Sequence, residues 1–425
     1  MWRNGMSDLE YWIWFSGLRS LRVRTKTALL ERFASASGAW FAERSELEKI
    51  PGILNEELDE LSSKNPGEAV KILRRCEEED VQVLTIQDAA YPARLRNIPD
   101  PPYVLYVKGR LPAVDAEPVI GIVGTRRSTP YGDKMARNIA FEVASRGAIV
   151  TTGLAGGIDS RAAEGALMAG GKVIGVLGVA INDVYPSWNG RLYDDVLTLG
   201  ALVSEYPPDA KGSSQWFPRR NRIIAALSLG VVVAEAPPRS GALITAHRAL
   251  DYGRDVFAVP ANADAGNSRG SNQLLREGAI FAENGWDVLK EYEAQFPERI
   301  RKDGSGEIPK EFSIPEENRK AEKKDEKASE KVSAGFLKFR VPVRKKETAV
   351  PVQRESSPLE EQLKTLNENQ LKIVGVMDRA SMHIDDIIDL SRLPAAVVLS
   401  ELTMLQIKGF VSQEQGKRFT LNIRK

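Results

Sequence analysis

Val119-Ile120-Gly121-Ile122-Val123-Gly124-Thr125-Arg126-Arg127-Ser128-Thr129-Pro130-Tyr131-Gly132 decides the reading of this chain. Five apolar or small residues run without alternation, as in a strand covered on both faces, and then stop at a glycine. Pro130 and Asp133 follow with the signature of a helix start. A buried strand, a glycine turn and a helix make the first unit of a parallel α/β fold. The turn can also hold an anion, because glycine lets backbone amides approach it, the helix start adds partial positive charge, and Arg126 can fork onto a phosphate. The plainer alternative is a tight strand-to-helix turn with a solvated arginine. Neither Gly-x-Gly-x-x-Gly nor a closing Lys-Ser or Lys-Thr is present, which argues against dinucleotide and P-loop nucleotide binding.

Outward from this stretch the same alternation repeats. Apolar runs at Ala148 to Gly153, Lys172 to Gly178, Ala201 to Tyr206, Gly230 to Ala236, Asp255 to Ala261 and Ala279 to Ala282 are mostly separated by helical segments. The pattern predicts a doubly wound α/β domain whose ligands collect at the carboxyl ends of the strands. The second strand ends in Gly153-Leu154-Ala155-Gly156-Gly157-Ile158-Asp159, a second glycine loop. Asp159 is read as a helix cap; the glycines either bind phosphates or only permit close packing. Lys211 to Arg222 holds four positive residues and no negative one, beside Trp216 and Phe217. Aromatics among arginines suit single-stranded nucleic acid, whose bases can stack, better than a duplex groove. Alternatively, one or both aromatics fill a core notch. Ser240-Gly241-Ala242 and Asn267 to Gln273 could close the same crevice or serve as helix caps.

The full length is 425 residues with 59 Lys/Arg, 58 Asp/Glu and one cysteine. Several domains are expected. The near balance excludes a diffusely basic polyanion binder, so any basic site is local. Cys76 alone excludes an internal disulfide or a multi-cysteine zinc site. Together with the absence of a signal peptide or an 18-residue apolar run, this predicts a cytoplasmic, non-membrane protein. From Arg301 to Pro358 there are 15 Lys/Arg, 11 Asp/Glu and five prolines but three aromatics, the composition of a flexible tether. His247 and His383 are the only histidines; they lie in different domains, and His247 is read as a surface helical residue. No metal, cofactor or catalytic group is predicted.

The first 75 or so residues are helical in pattern, with Ile50-Pro51-Gly52-Ile53 turning between two helices. That turn is either a packing turn or a helix-hairpin-helix contact to a DNA backbone. Beyond the tether, Asn369 to Arg379, Ile384 to Leu390 and Pro394 to Lys408, then Val411 to Ile423 turning at Gly416, give a winged-helix pattern. Its reading-helix stretch carries only Lys408 against Glu401, so a protein-interaction role is at least as well supported as duplex binding. The expected domains are therefore 1–80 (helical), 81–296 (α/β), 297–358 (linker) and 359–425 (winged helix).

These motifs together resemble the DNA-processing protein A (DprA/Smf) family. The resemblance rests on G-T-R-R-S-T-P-Y-G at 124–132, G-L-A-G-G-I-D at 153–159, F-P-R-R-N-R-I-I at 217–224, S-G-A-L-I-T-A at 240–246 and G-S-N-Q-L-L-R-E-G-A at 270–279. Tyr91-Pro92 and Pro101-Pro102-Tyr103-Val104-Leu105-Tyr106 extend it upstream. It implies an extended Rossmann-like domain that binds single-stranded DNA, forms a homodimer and loads RecA in natural transformation. By motif position it implies DNA contacts at Gly124, Thr125, Arg126, Gly156, Gly157, Phe217, Arg219, Arg220, Asn221, Arg222 and Ser240. Pro260-Ala261 departs from the family's usual Pro-Gly, and the N-terminal region lacks a glycine-rich hairpin. Two other functions compete: a Rossmann-like nucleotide or nucleoside-phosphate hydrolase in the same crevice, and a transcription factor led by the winged helix.

Overall fold

A computed structural model of the chain describes residues 6–303, 366–377, 382–407, 410–414 and 418–421. The tether expected from 297 to 358 lies outside them from 304 onward, as do Lys408 and Gly416. The chain divides into two units, Met1–Phe339 and Arg340–Lys425.

In the first unit a nine-stranded sheet has the order β1-β2-β6-β5-β4-β3-β7-β8-β9. Its seven parallel strands are β3 (Val119–Gly124), β4 (Ile149–Thr152), β5 (Val173–Leu177), β6 (Ala201–Ser204), β7 (Gly230–Glu235), β8 (Asp255–Ala258) and β9 (Ile280–Phe281). Each lies within one of the apolar runs. β3, β4, β5 and β7 are buried almost throughout, since helices cover both sheet faces. β1 (Gln82–Thr85) and β2 (Val104–Gly109) extend the sheet beyond β6 with antiparallel pairing. The doubly wound α/β fold is thereby extended at one edge. Tyr91, 1% exposed, ties the connection between them by donating from its hydroxyl to the Pro102 carbonyl at 2.6 Å.

The amino-terminal helices pack onto this edge. Phe15, from the Asp8–Gly17 helix, meets Tyr103 edge-on at 5.3 Å, and the Lys26 ammonium lies 5.7 and 5.6 Å from those two rings. Burial pulls the Lys26 pKa down to about 8. At the exposed Pro51-Gly52 turn, Gly52 takes φ +70°, and its carbonyl accepts from Arg22 Nη2 at 2.7 Å, which ties the turn to the start of the Val23–Phe33 helix. Arg22 also pairs with the fully buried Glu57, which accepts from Arg22 N and Nε (2.9 Å each), Arg22 Nη2 (2.6 Å), Thr25 Oγ1 (2.8 Å) and Leu54 N (2.9 Å).

In the second unit, helices Glu368–Val376, Ile384–Ser391 and Ala395–Ile407 pack with the antiparallel strands β10 (Met382–His383), β11 (Val411–Glu414) and β12 (Arg418–Leu421), in the order β10-β12-β11. The core includes Ile373, Ile387, Val398, Leu402, Leu405 and Phe419. This is a winged helix. Glu401 accepts from Asn367 Nδ2 (3.1 Å) and Gln370 Nε2 (2.6 Å), so its charge joins two helices within the domain.

Candidate nucleic-acid interface

β3 and β7 are neighbours in the sheet, yet the chain leaves them toward opposite edges, β3 to β4 and β7 to β8. Loops diverging at such a switch point leave a crevice outside the strand ends. Glu235 closes its floor. Its carboxylate accepts from the Thr129 amide (2.8 Å) and hydroxyl (2.7 Å), and its backbone carbonyl accepts from the Thr125 amide (2.7 Å). Thr129 in turn caps the Pro130–Ser145 helix, its Oγ1 accepting from Gly132 N at 3.1 Å. The 124–129 loop is thus held at both ends, with Arg126 exposed between them.

The second glycine loop has its carbonyls turned inward. Gly153 O accepts from Arg220 Nη1 (2.6 Å), Leu154 O from Asn189 Nδ2 (2.9 Å) and Ala155 O from Ser160 Oγ (2.7 Å). Gly157 takes φ +72°, and a Cβ there would lie 2.5 Å from the Thr125 carbonyl, so the two glycine loops touch backbone to backbone. Gly124 meets the Ile158 side chain just as closely, whereas a Cβ on Gly156 would make only ordinary contacts, with Trp188 at 3.5 Å and the Arg126 carbonyl at 4.0 Å. Gly157, rather than Asp159, occupies the cap position of the Ile158–Met168 helix. Asp159 is instead buried in the first turn; desolvation pushes its pKa up, opposed by the positive charges of Arg220 and Arg126.

The basic stretch separates by burial. Exposed Lys211 precedes the Trp216–Leu227 helix, which carries the other cations, and from Arg220 onward that helix is buried, so cations past its first turn need internal partners. Arg220, 4% exposed, donates to the carbonyls of Gly153 and Val176 and joins the ends of β4 and β5. A Cβ on Gly153 would overlap its guanidinium. Arg222, 3% exposed, pairs with Glu205 (2.7 Å) and Asp100 (3.1 Å). Asn221 donates to Gly241 O at 3.2 Å and accepts from Arg220 Nε. Arg219 faces solvent, with Glu205 at 3.2 Å beneath it.

The two aromatics also separate. Trp216 stacks on Tyr206 at 3.7 Å and 9°. Phe217 lies against Gly178 and Tyr185, and the guanidinium of Arg126 sits over its ring, 5.0 Å from the centroid. Arg126, Tyr185 and Phe217 thus form one cationic and aromatic cluster on the crevice wall. Among the described residues, no carboxylate lies within ion-pair distance of Arg126. Tyr185 and Glu235 were not singled out in the sequence: Tyr185 lies in a long connection and Glu235 looks like the polar end of a strand.

Ser240 caps the Gly241–Asp251 helix by accepting from Ala242 N at 3.2 Å. His247 is on the exposed face of that helix, Nδ1 2.6 Å from Leu243 O. No group of three or more His, Cys, Asp or Glu side chains among the described residues could hold a metal. Nor is any of their helices long and apolar enough to cross a membrane.

Protein Smf of Synechocystis is 32% identical over 97% of this chain and 98% of its own length. The chain belongs to the DprA/Smf family. The model for DNA recombination-mediator protein A matches residues 82–293 of this DprA/Smf chain, and that for the DprA winged helix domain matches 357–417. The DNA processing protein DprA of Streptococcus pneumoniae is 41% identical over 49% of the chain and 73% of that protein. The X-ray structure of the S. pneumoniae protein superposes with a TM-score of 0.59, at 33% identity, covering 68% of this chain and 99% of that one. The motif stretches 124–132, 153–159, 217–224 and 240–246 meet here, with Gly157 against Thr125, Arg220 on Gly153 O and Asn221 on Gly241 O, while Tyr91-Pro92 and Pro101 to Tyr106 lie at the β1–β2 edge.

Proposed function

We propose that the chain binds single-stranded DNA without regard to sequence and loads RecA onto it, with no chemical step of its own. The observation that carries this reading is the Arg126–Phe217 pair. A guanidinium with no carboxylate partner among the described residues suits a phosphate, and a half-buried aromatic beside it suits an unstacked base. Paired bases do not offer their faces, so the combination favours a single strand. The DNA-processing designation of the relatives supports the same reading.

In this proposal Arg126, Phe217 and Arg219 contact the strand, along with Ser240 and the backbone of Gly124, Thr125, Gly156 and Gly157. Arg220, Asn221 and Arg222 position those groups from beneath. Residues 1–80, 81–296, 297–358 and 359–425 would act as helical domain, DNA-binding domain, linker and winged helix of a cytoplasmic homodimer. Against the hydrolase reading, the carboxylates at the strand ends are engaged in the fold: Asp159 and Glu235 are buried and Glu205 is tied to Arg219 and Arg222.

Electrophoretic shifts with single-stranded and duplex oligonucleotides of equal length test the proposal. A strong single-strand preference, weakened by Arg126→Ala, is expected. Equal affinity for duplex would overturn it, and release of free base from nucleoside monophosphates would overturn its non-enzymatic part.

A further inference from the structure

Beyond Arg126, the crevice continues across the switch point toward β7 and β8. There, backbone contacts bring three loops together. Asn267 Nδ2 donates to the Arg127 carbonyl at 3.1 Å, joining the β8 loop to the β3 loop. Gly270 N and Ser271 N both donate to the Ala236 carbonyl, at 2.8 and 3.2 Å, joining the same segment to the β7 loop. A Cβ on Gly270 would lie 2.7 Å from the carbonyls of Ala236 and Pro237, so this fit leaves no slack. It sets Arg269, at the start of the Arg269–Arg276 helix, beside the Pro237-Pro238-Arg239 turn.

Arg239 and Arg269 are both exposed, and neither forms an ion pair among the described residues. Several arginines near the crevice are neutralised, Arg137 and Arg161 by Glu164 and Arg219 and Arg222 by Glu205, whereas among the described residues Arg239 and Arg269, like Arg126, are not. Of the nearby carboxylates, Glu235 is bonded to Thr129, and Asp264 is exposed on the same β8 loop. Two unpaired guanidiniums on the rim of a sheet-end crevice form a fixed positive field beside its mouth.

We propose that Arg239 and Arg269 form a second phosphate-binding subsite, which takes the backbone of the same DNA strand after it leaves Arg126. This rests on the single-strand reading above and extends it in length. Adjacent strands are about 4.8 Å apart, so the β3 and β8 loops are separated by roughly 10 Å, a span that about three stacked nucleotides at ~3.4 Å each would cover. The arginines would hold phosphates and leave the bases unread.

Fluorescence anisotropy on the full chain, with oligo-dT of about 2 nucleotides, too short to reach both sites, and about 20 nucleotides, which spans them, tests the subsite. The Arg239→Ala/Arg269→Ala double variant is expected to bind the long oligonucleotide about tenfold more weakly and the short one nearly unchanged, with the salt slope for the long one reduced by about 1.4 for two lost phosphates. Arg239→Lys/Arg269→Lys should restore most of the long-strand affinity, and matching thermal melts of all three proteins confirm folding. If Arg126→Ala weakens binding at both lengths while the double alanine variant binds the long strand normally, the second subsite is wrong and the primary site stands. Equal loss at both lengths in the double variant would also overturn the extension, because the arginines would then belong to the primary site. If Arg126→Ala leaves both lengths unaffected, the single-strand reading itself falls.

Discussion

The guanidinium of Arg126 lies 5.0 Å from the centre of the Phe217 ring, so the loop after β3 and the helix before β7 meet at one point of the crevice wall. The ring supports the cation from below without neutralising it, which leaves its hydrogen-bond donors for an anion.

Arg126→Ala should weaken oligo-dT binding and lower the salt slope by about one phosphate contact, ~0.7 for a single strand. Phe217→Ala should weaken binding by about 1–3 kcal/mol with the salt slope unchanged, because stacking releases no counterions. Titrations at several salt concentrations separate the two effects.

Arg219 and Arg220 are adjacent but should behave oppositely. Arg219→Ala removes an exposed ion pair, with a stability effect of at most about 1 kcal/mol, and should show mainly as weaker DNA binding. Arg220→Ala leaves the Gly153 and Val176 carbonyls and Asp159 without their buried cation, a loss of about 2–4 kcal/mol. Urea denaturation of the two single variants distinguishes these roles, which the double variant would merge.

Glu235→Gln keeps the size of the side chain but turns one acceptor toward Thr129 into a donor. It should destabilise the fold by about 1–3 kcal/mol and weaken DNA binding even where the protein remains folded, because the 124–129 loop loses its anchor. Binding measured well below the melting temperature checks the second effect.

Glu57 is held well below the usual carboxylate range, first by the hydrogen bond from Arg22 and then by backbone amides of Arg22 and Leu54. A carboxylate whose folded pKa is depressed contributes stability that is complete above its unfolded value of about 4.3 and is lost as pH falls below it. Denaturation midpoints should therefore drop from about pH 5 downward. Glu57→Gln should be less stable at neutral pH and lose less on acidification.

The apolar runs show the parallel strands because each is covered on both faces and needs no alternating pattern. β1 and β2 are harder to see: β1 has four residues, and its pairing with β2 depends on the Tyr91–Pro102 connection folding back. In the site, the glycine loops, Arg126 and Phe217 are legible from their types and order. The division of 217–222 into solvent-facing and buried residues is not, since it depends on the later helix being enclosed by β4, β5 and the segment around Asp100. Asp159 illustrates the same limit: an acidic residue before a helix resembles a cap, yet Gly157 takes that place because its positive φ lets the loop lie against Thr125.

By itself, the sequence determined the fold class and the identity of the loops at the strand ends, because strand burial, glycine turns and helix starts are local consequences of residue type. Only the tertiary structure decided which cations face the crevice. Whether an arginine meets solvent, a carbonyl or a carboxylate depends on partners far away in the chain, as with Glu205 beneath Arg219 and Arg222 and Val176 beside Arg220. Burial demands such partners wherever the charge enters the core.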